Sequence, residues 1–146
     1  MSVYALIALV LVKVDQGELA WLTADRGMTV ALATQDPRVA GIATVSLSQA
    51  LRSRGRRRSA LDAALVAADR IGAHGSSSVD VALRGTLLLQ AALAAAGGGD
   101  EHLARQSLDQ AAAIAQNIGP DGGWGWQRSR HRRGFQRRGP QRRGPR

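Results

Sequence analysis

Along this chain apolar residues recur three and four positions apart, the spacing that gathers them on one side of an α-helix. Short polar or glycine-rich stretches interrupt the pattern and divide the first 118 positions into six predicted helices. The first covers 2–14 and ends at Asp15-Gln16-Gly17. The second runs over 18–33, with Leu19, Leu22, Val30 and Leu32 among its apolar positions. Asp36-Pro37 reads as a start signal, Asp as N-cap and Pro at the first helical position. The third helix then runs to 54 and stops at Gly55. The fourth spans 57–71, capped by Ser59 or starting a little earlier, with Ala60, Leu61, Ala64, Leu65, Ala68 and Ile71 as its stripe. Gly72 and Gly75-Ser76-Ser77-Ser78 make the longest break. The fifth helix covers 79–96 and meets Gly97-Gly98-Gly99. Asp100 caps the sixth, which closes at 117–118 before Gly119-Pro120.

Six helices on short connections predict an all-α fold of three antiparallel helical hairpins. The hairpins share a spacing. Gly55 is followed at +5, +9 and +12 by Ala60, Ala64 and Ala67, and Gly99 at the same offsets by Ala104, Leu108 and Ala111. In the first hairpin Gly17, Ala24, Met28 and Ala31 repeat the inner spacing, with a turn two residues longer. Small residues there let the second helix of each pair lie close to the first.

Composition sharpens this picture. Of 146 residues 45% are hydrophobic but only 3% aromatic, so the core must be built from Ala, Leu, Val and Ile. The absence of Cys excludes disulfides, thiolate metal sites and a cysteine nucleophile. Positions 1–118 hold 11 basic and 10 acidic residues, whereas 119–146 hold 9 arginines against Asp121. The expected organisation is therefore a helical domain over 1–118 and a disordered basic tail over 119–146. The apolar start from Val3 to Val12 is like a signal-peptide core. It has no positive flank ahead of it and no clear cleavage site, and it is short of a bilayer span. A buried first helix, a cytoplasmic location and no membrane partner are expected.

The Gly–Ala–x3–large–x2–Ala pattern resembles the second half of a tetratricopeptide repeat. More closely, the chain is similar to the C-terminal helical-repeat region of actinobacterial helix-turn-helix transcriptional regulators of the Xre type. The likeness is carried by the run from Tyr4 to Lys13, by Trp21 to Arg26, by Ala60 to Ala64 and by Gly85 to Ala92. It implies a non-enzymatic module that senses a ligand or engages a protein or peptide on a groove. Tyr4, Lys13, Trp21 and Gln90 are the groove candidates, with packing as the plainer role for Trp21. The family's DNA-binding domain finds no room ahead of the first repeat, so a truncated relative or freestanding sensor piece is expected.

The tail departs from that family, which would continue in helices. Either a shifted reading frame in a GC-rich gene or a polyanion-binding segment accounts for its Arg-Arg-Gly triplets. On the second account Arg128, Arg132, Arg133, Arg137, Arg138, Arg142 and Arg143 contact phosphates while Trp124, Trp126 and Phe135 stack on bases. A second basic cluster, Arg52, Arg54, Arg56, Arg57 and Arg58, reads as a solvated turn whose charge favours the C-terminal end of the third helix. His74, His102 and His131 lack ligand-spaced partners, so no metal or cofactor is expected. Gly97-Gly98-Gly99-Asp100 lacks the Lys-Ser/Thr of a phosphate loop and reads as a turn. Ser46, Ser48 and Ser76 to Ser78 have no nucleophile-elbow context. Open ends of such an array would expose apolar surface, so self-association is expected as well.

Overall fold

The computed structural model describes residues 3–122, with side chains as far as Ile118. Six helices follow one another: α1 (Val3–Lys13), α2 (Gly17–Ala33), α3 (Pro37–Ser53), α4 (Arg57–His74), α5 (Ser78–Gly97) and α6 (Glu101–Gly122). Among the described residues all regular structure is helical, as the apolar spacing predicts. The basic tail expected over 119–146 lies outside this region except for the last turn of α6.

Every connection is three residues long. Three of the five are built alike. Asp15, Gly55 and Gly99 have φ of 59°, 73° and 81°. In each case the next residue donates its N–H to a carbonyl five positions back: Gln16 to Leu11 (2.8 Å), Arg56 to Leu51 (2.9 Å) and Asp100 to Ala95 (3.0 Å). This six-to-one bond with a left-handed residue inside it satisfies carbonyls that a helix end would leave open. Gly55 and Gly99 are thus the elbows that the sequence predicts. Gly17 is not one; it begins α2, and Asp15 makes that turn because Asp tolerates the left-handed region better than most side chains. Counted from Asp15, the offsets +5, +9 and +12 fall on Ala20, Ala24 and Gly27, all buried. The first hairpin therefore needs no longer turn.

Side chains cap the starts of α3, α5 and α6. The Asp36 carboxylate accepts from the Arg38 N–H at 2.8 Å, with Pro37 in the first turn. The Ser77 hydroxyl accepts from the Asp80 N–H at 3.2 Å. Asp100 accepts from the Leu103 N–H at 3.0 Å. Ser59 is no cap, because α4 begins at Arg57 without a side-chain bond. That helix also runs through Gly72 to His74. Arg84 of α5 lies so near Gly72 that an added Cβ would come within 3.2 Å of its Nε, a close approach that glycine permits. Helix α6 passes Gly119-Pro120 and ends at Gly122; the proline removes one N–H from the ladder while the rest of the long helix stays bonded.

Each helix packs on its neighbours in sequence. In addition α1 packs on α3, and α3 on α5. The odd helices form a continuous row; among the described residues the backbones of α2, α4 and α6 stay apart, with no Cα of one within 8 Å of a Cα of another. Two clusters centred on α4 and α5 supply most of the core. One contains Leu51, Leu61, Ala60, Ala64, Ala91, Ala94 and Ala95, the other Ala68, Ile71, Leu87, Leu88 and Ala111. The third, under α1, has four alanines as its buried members: Ala8, Ala20, Ala24 and Ala50. Helix α5 is long and apolar enough to cross a membrane, yet half of it is packed inside the bundle.

Candidate functional site

The four groove candidates do not meet. Tyr4 lies on α1 over Gly27 of α2, so close that a Cβ on that glycine would stand 2.9 Å from the Tyr4 Cβ. Lys13 is exposed at the far end of α1. Trp21 belongs to the core: it packs against two clusters and also lies beneath the Arg54 guanidinium, 6.0 Å from the ring centre. Gln90 is buried, and its side-chain oxygen accepts from Arg52 Nη2 at 2.9 Å. The seven polyanion candidates, from Arg128 to Arg143, lie outside the described residues, as do Trp124, Trp126, Phe135 and His131.

The turn cluster of arginines is dispersed, not gathered into a patch. Arg54 pairs with Glu18, and Arg58 with Asp62 one helical turn on. Arg57 reaches Gly97, placing positive charge at the C-terminal end of α5 where the helix dipole favours it. Arg52 turns inward toward Gln90. Burial lowers its guanidinium below its ordinary pKa, and its Nε has no hydrogen-bond partner among the described residues.

One polar cluster escapes the sequence pattern. Asp80 of α5 is almost fully buried and accepts from both Nε and Nη2 of Arg38 on α3, the latter at 2.8 Å. The Ser77 hydroxyl donates to the same carboxylate at 2.6 Å. The Arg38 hydrogen bond, followed by that from Ser77, holds Asp80 well below the usual carboxylate range. The same bond raises Arg38. This clip fastens the start of α5 to the start of α3. Its signal in the sequence was Ser77 three residues ahead of an acid, the spacing of a capping box.

Two open apolar hollows remain. A cleft of about 460 Å³ runs between α2 and α4 with α3 as its floor. It exists because the backbones of α2 and α4 stay apart. Met28, Leu32, Ala40, Ala63 and Val66 line it, and Asp36, Asp62 and Arg70 stand among the surrounding residues. A second groove of about 550 Å³ lies along α5 and α6, lined by Leu89, Leu93, Ala104 and Leu108 among others. Among the described residues no three of His, Cys, Asp and Glu come together as a metal site. No protein-family profile, curated protein or solved structure matches the chain.

Proposed function

We propose that this chain is a non-enzymatic helical-repeat module, tetratricopeptide-like and akin to the sensing region of Xre-type regulators, that binds a small apolar ligand in the cleft between α2 and α4. The cleft carries the proposal. Its volume falls in the range of small-molecule sites, roughly 300–1,000 Å³, and its floor is apolar with polar groups of both signs alongside. A row of odd helices backed by even helices whose backbones stay apart supports the repeat reading, although the elbows stand 40 and 44 residues apart. Binding here is shape recognition, and it couples to the helices because ligand would bridge α2 and α4.

The test is titration with an uncharged, polarity-sensitive fluorescent dye such as Nile red. Ala63→Trp fills the cleft from α4 and removes one bound probe per chain, while Leu93→Glu in the α5–α6 groove leaves that site intact. Equal binding by wild type and Ala63→Trp would refute the proposal. A second reading, non-specific nucleic-acid binding through the tail, rests on the 9 arginines of 119–146.

A further inference from the structure

We infer that this chain assembles head to tail, with α1 of one copy seated in the α5–α6 groove of the next. The inference stands on the internal repeat and does not need the ligand cleft.

The elbows Asp15, Gly55 and Gly99 set equivalent positions in the three hairpins, 40 and 44 residues apart. Helix α5 is seated on the α3–α4 hairpin through Leu87, Gln90, Ala91 and Ala94, all buried. The corresponding positions of α3 are Ala43, Ser46, Leu47 and Ala50, each buried or half-buried. On α1 they are Val3, Leu6, Ile7 and Val10. All four are apolar, and all four are exposed, by 44% to 70%. Helix α1 thus carries the seating stripe of its two counterparts with nothing from the described residues beneath it.

The opposite end shows the complementary surface. The wall that receives α5 includes Val45 and Arg52 of α3 and the buried Ala60 and Ala64 of α4, with Ser48 and Gln49 on the same face of α3 between the first two. Forty-four residues on, these become Leu89, Ala92, Leu93, Ala96, Ala104 and Leu108, and all six line the open groove. Leu89, Leu93 and Leu108 are 44%, 53% and 51% exposed. At its rim Glu101 and Arg105 neutralise each other at 2.6 Å, so no net charge opposes an apolar stripe.

A second copy therefore extends the same interface that already joins α3–α4 to α5. The two surfaces differ from each other, so the contact is heterologous and open-ended, adding copies in a line and not closing as a symmetric pair. The register also fixes neighbours. Within the chain Gln90 meets Arg52. Between copies the equivalent pair is Leu6 and Ala96.

Sedimentation of the full chain at ~0.15 M salt, where repulsion is screened beyond about 8 Å, tests this. Wild type should grow in mass with concentration. Leu6→Glu blocks one end and Leu93→Glu the other, so each alone stays monomeric, and their mixture forms a discrete one-to-one dimer. Wild type that is monomeric at every concentration, either variant assembling alone, or a mixture that stays monomeric would overturn the inference. The chain has no Cys, which allows a second measurement free of charge changes. A Leu6→Cys chain mixed with an Ala96→Cys chain should form mixed disulfide dimers on oxidation. Only the background coupling seen for each variant alone would overturn the register.

Discussion

Two adjacent glycines should respond to alanine with opposite sign. Gly99 has φ of 81°, and an added Cβ there would meet nothing within 4 Å. The cost of Gly99→Ala is therefore conformational. An L-residue in the left-handed region costs roughly 1–2 kcal/mol, and restricting the unfolded chain returns about 0.4–1 kcal/mol. The net loss is on the order of 0.5–1 kcal/mol. Gly98, one residue earlier, has φ of −87° and ψ of −4°. Its added Cβ would lie 3.4 Å from the carbonyl oxygens of Ala94 and Ala95, an ordinary contact. Gly98→Ala keeps only the unfolded-state benefit and gains about 0.4–1 kcal/mol. The variants thus differ by about 1–2 kcal/mol. With a urea slope near the middle of the usual range, about 2 kcal/mol/M, their unfolding midpoints should lie roughly 0.5–1 M apart, Gly98→Ala above wild type and Gly99→Ala below. Shifts of the same sign would show that the elbow does not hold its left-handed geometry in solution.

The Arg38–Asp80 clip should give stability a pH dependence. The Asp80 carboxyl is depressed in the fold, so its contribution is complete above the unfolded value of about 3.9 and disappears as pH falls through the lower folded value. Asp80→Asn should flatten the acid limb of an unfolding-midpoint profile; an unchanged limb would exclude the clip as its source. For the tail, a chain ending at Gly122 keeps all of α6. It should retain the helical circular dichroism of the full chain and lose retention on a heparin column, whereas undiminished retention would place polyanion binding on the helices.

Most of the fold was legible because helix signals are local. Asp36-Pro37 and Asp100 cap where their chemistry says they should. Gly55 and Gly99 turn the chain because the left-handed region favours glycine. The misplacements came where a turn or helix end depends on more than the residue types at hand, as where Arg84 packs against Gly72. Asp15, not Gly17, carries the first elbow; Ser59 and Gly72 are absorbed into α4, and α6 continues past Pro120. The candidate site was less legible, since periodicity assigns a residue to a face without naming what faces it. Trp21 and Gln90 lie on plausible faces, but one is packed into the core and the other is held by Arg52. The cleft joins Met28 and Leu32 to Ala63 and Val66, more than thirty positions away. No local pattern reports a gap between two helices whose backbones stay apart.

The uneven core orders events during synthesis. Helix α1 leaves the ribosome ahead of the other five, yet the fully buried members of its cluster are alanines from α1, α2 and α3, with Leu11, Val12, Trp21 and Leu47 only half-buried around them. The larger aliphatic side chains that consolidate the array arrive with α4 and α5. Apolar area is what holds such a structure together, so the α1–α3 unit is consolidated only once α4 and α5 have been translated and packed onto α3. A chaperone that shelters short hydrophobic nascent segments would find Val3–Val12 available throughout that interval.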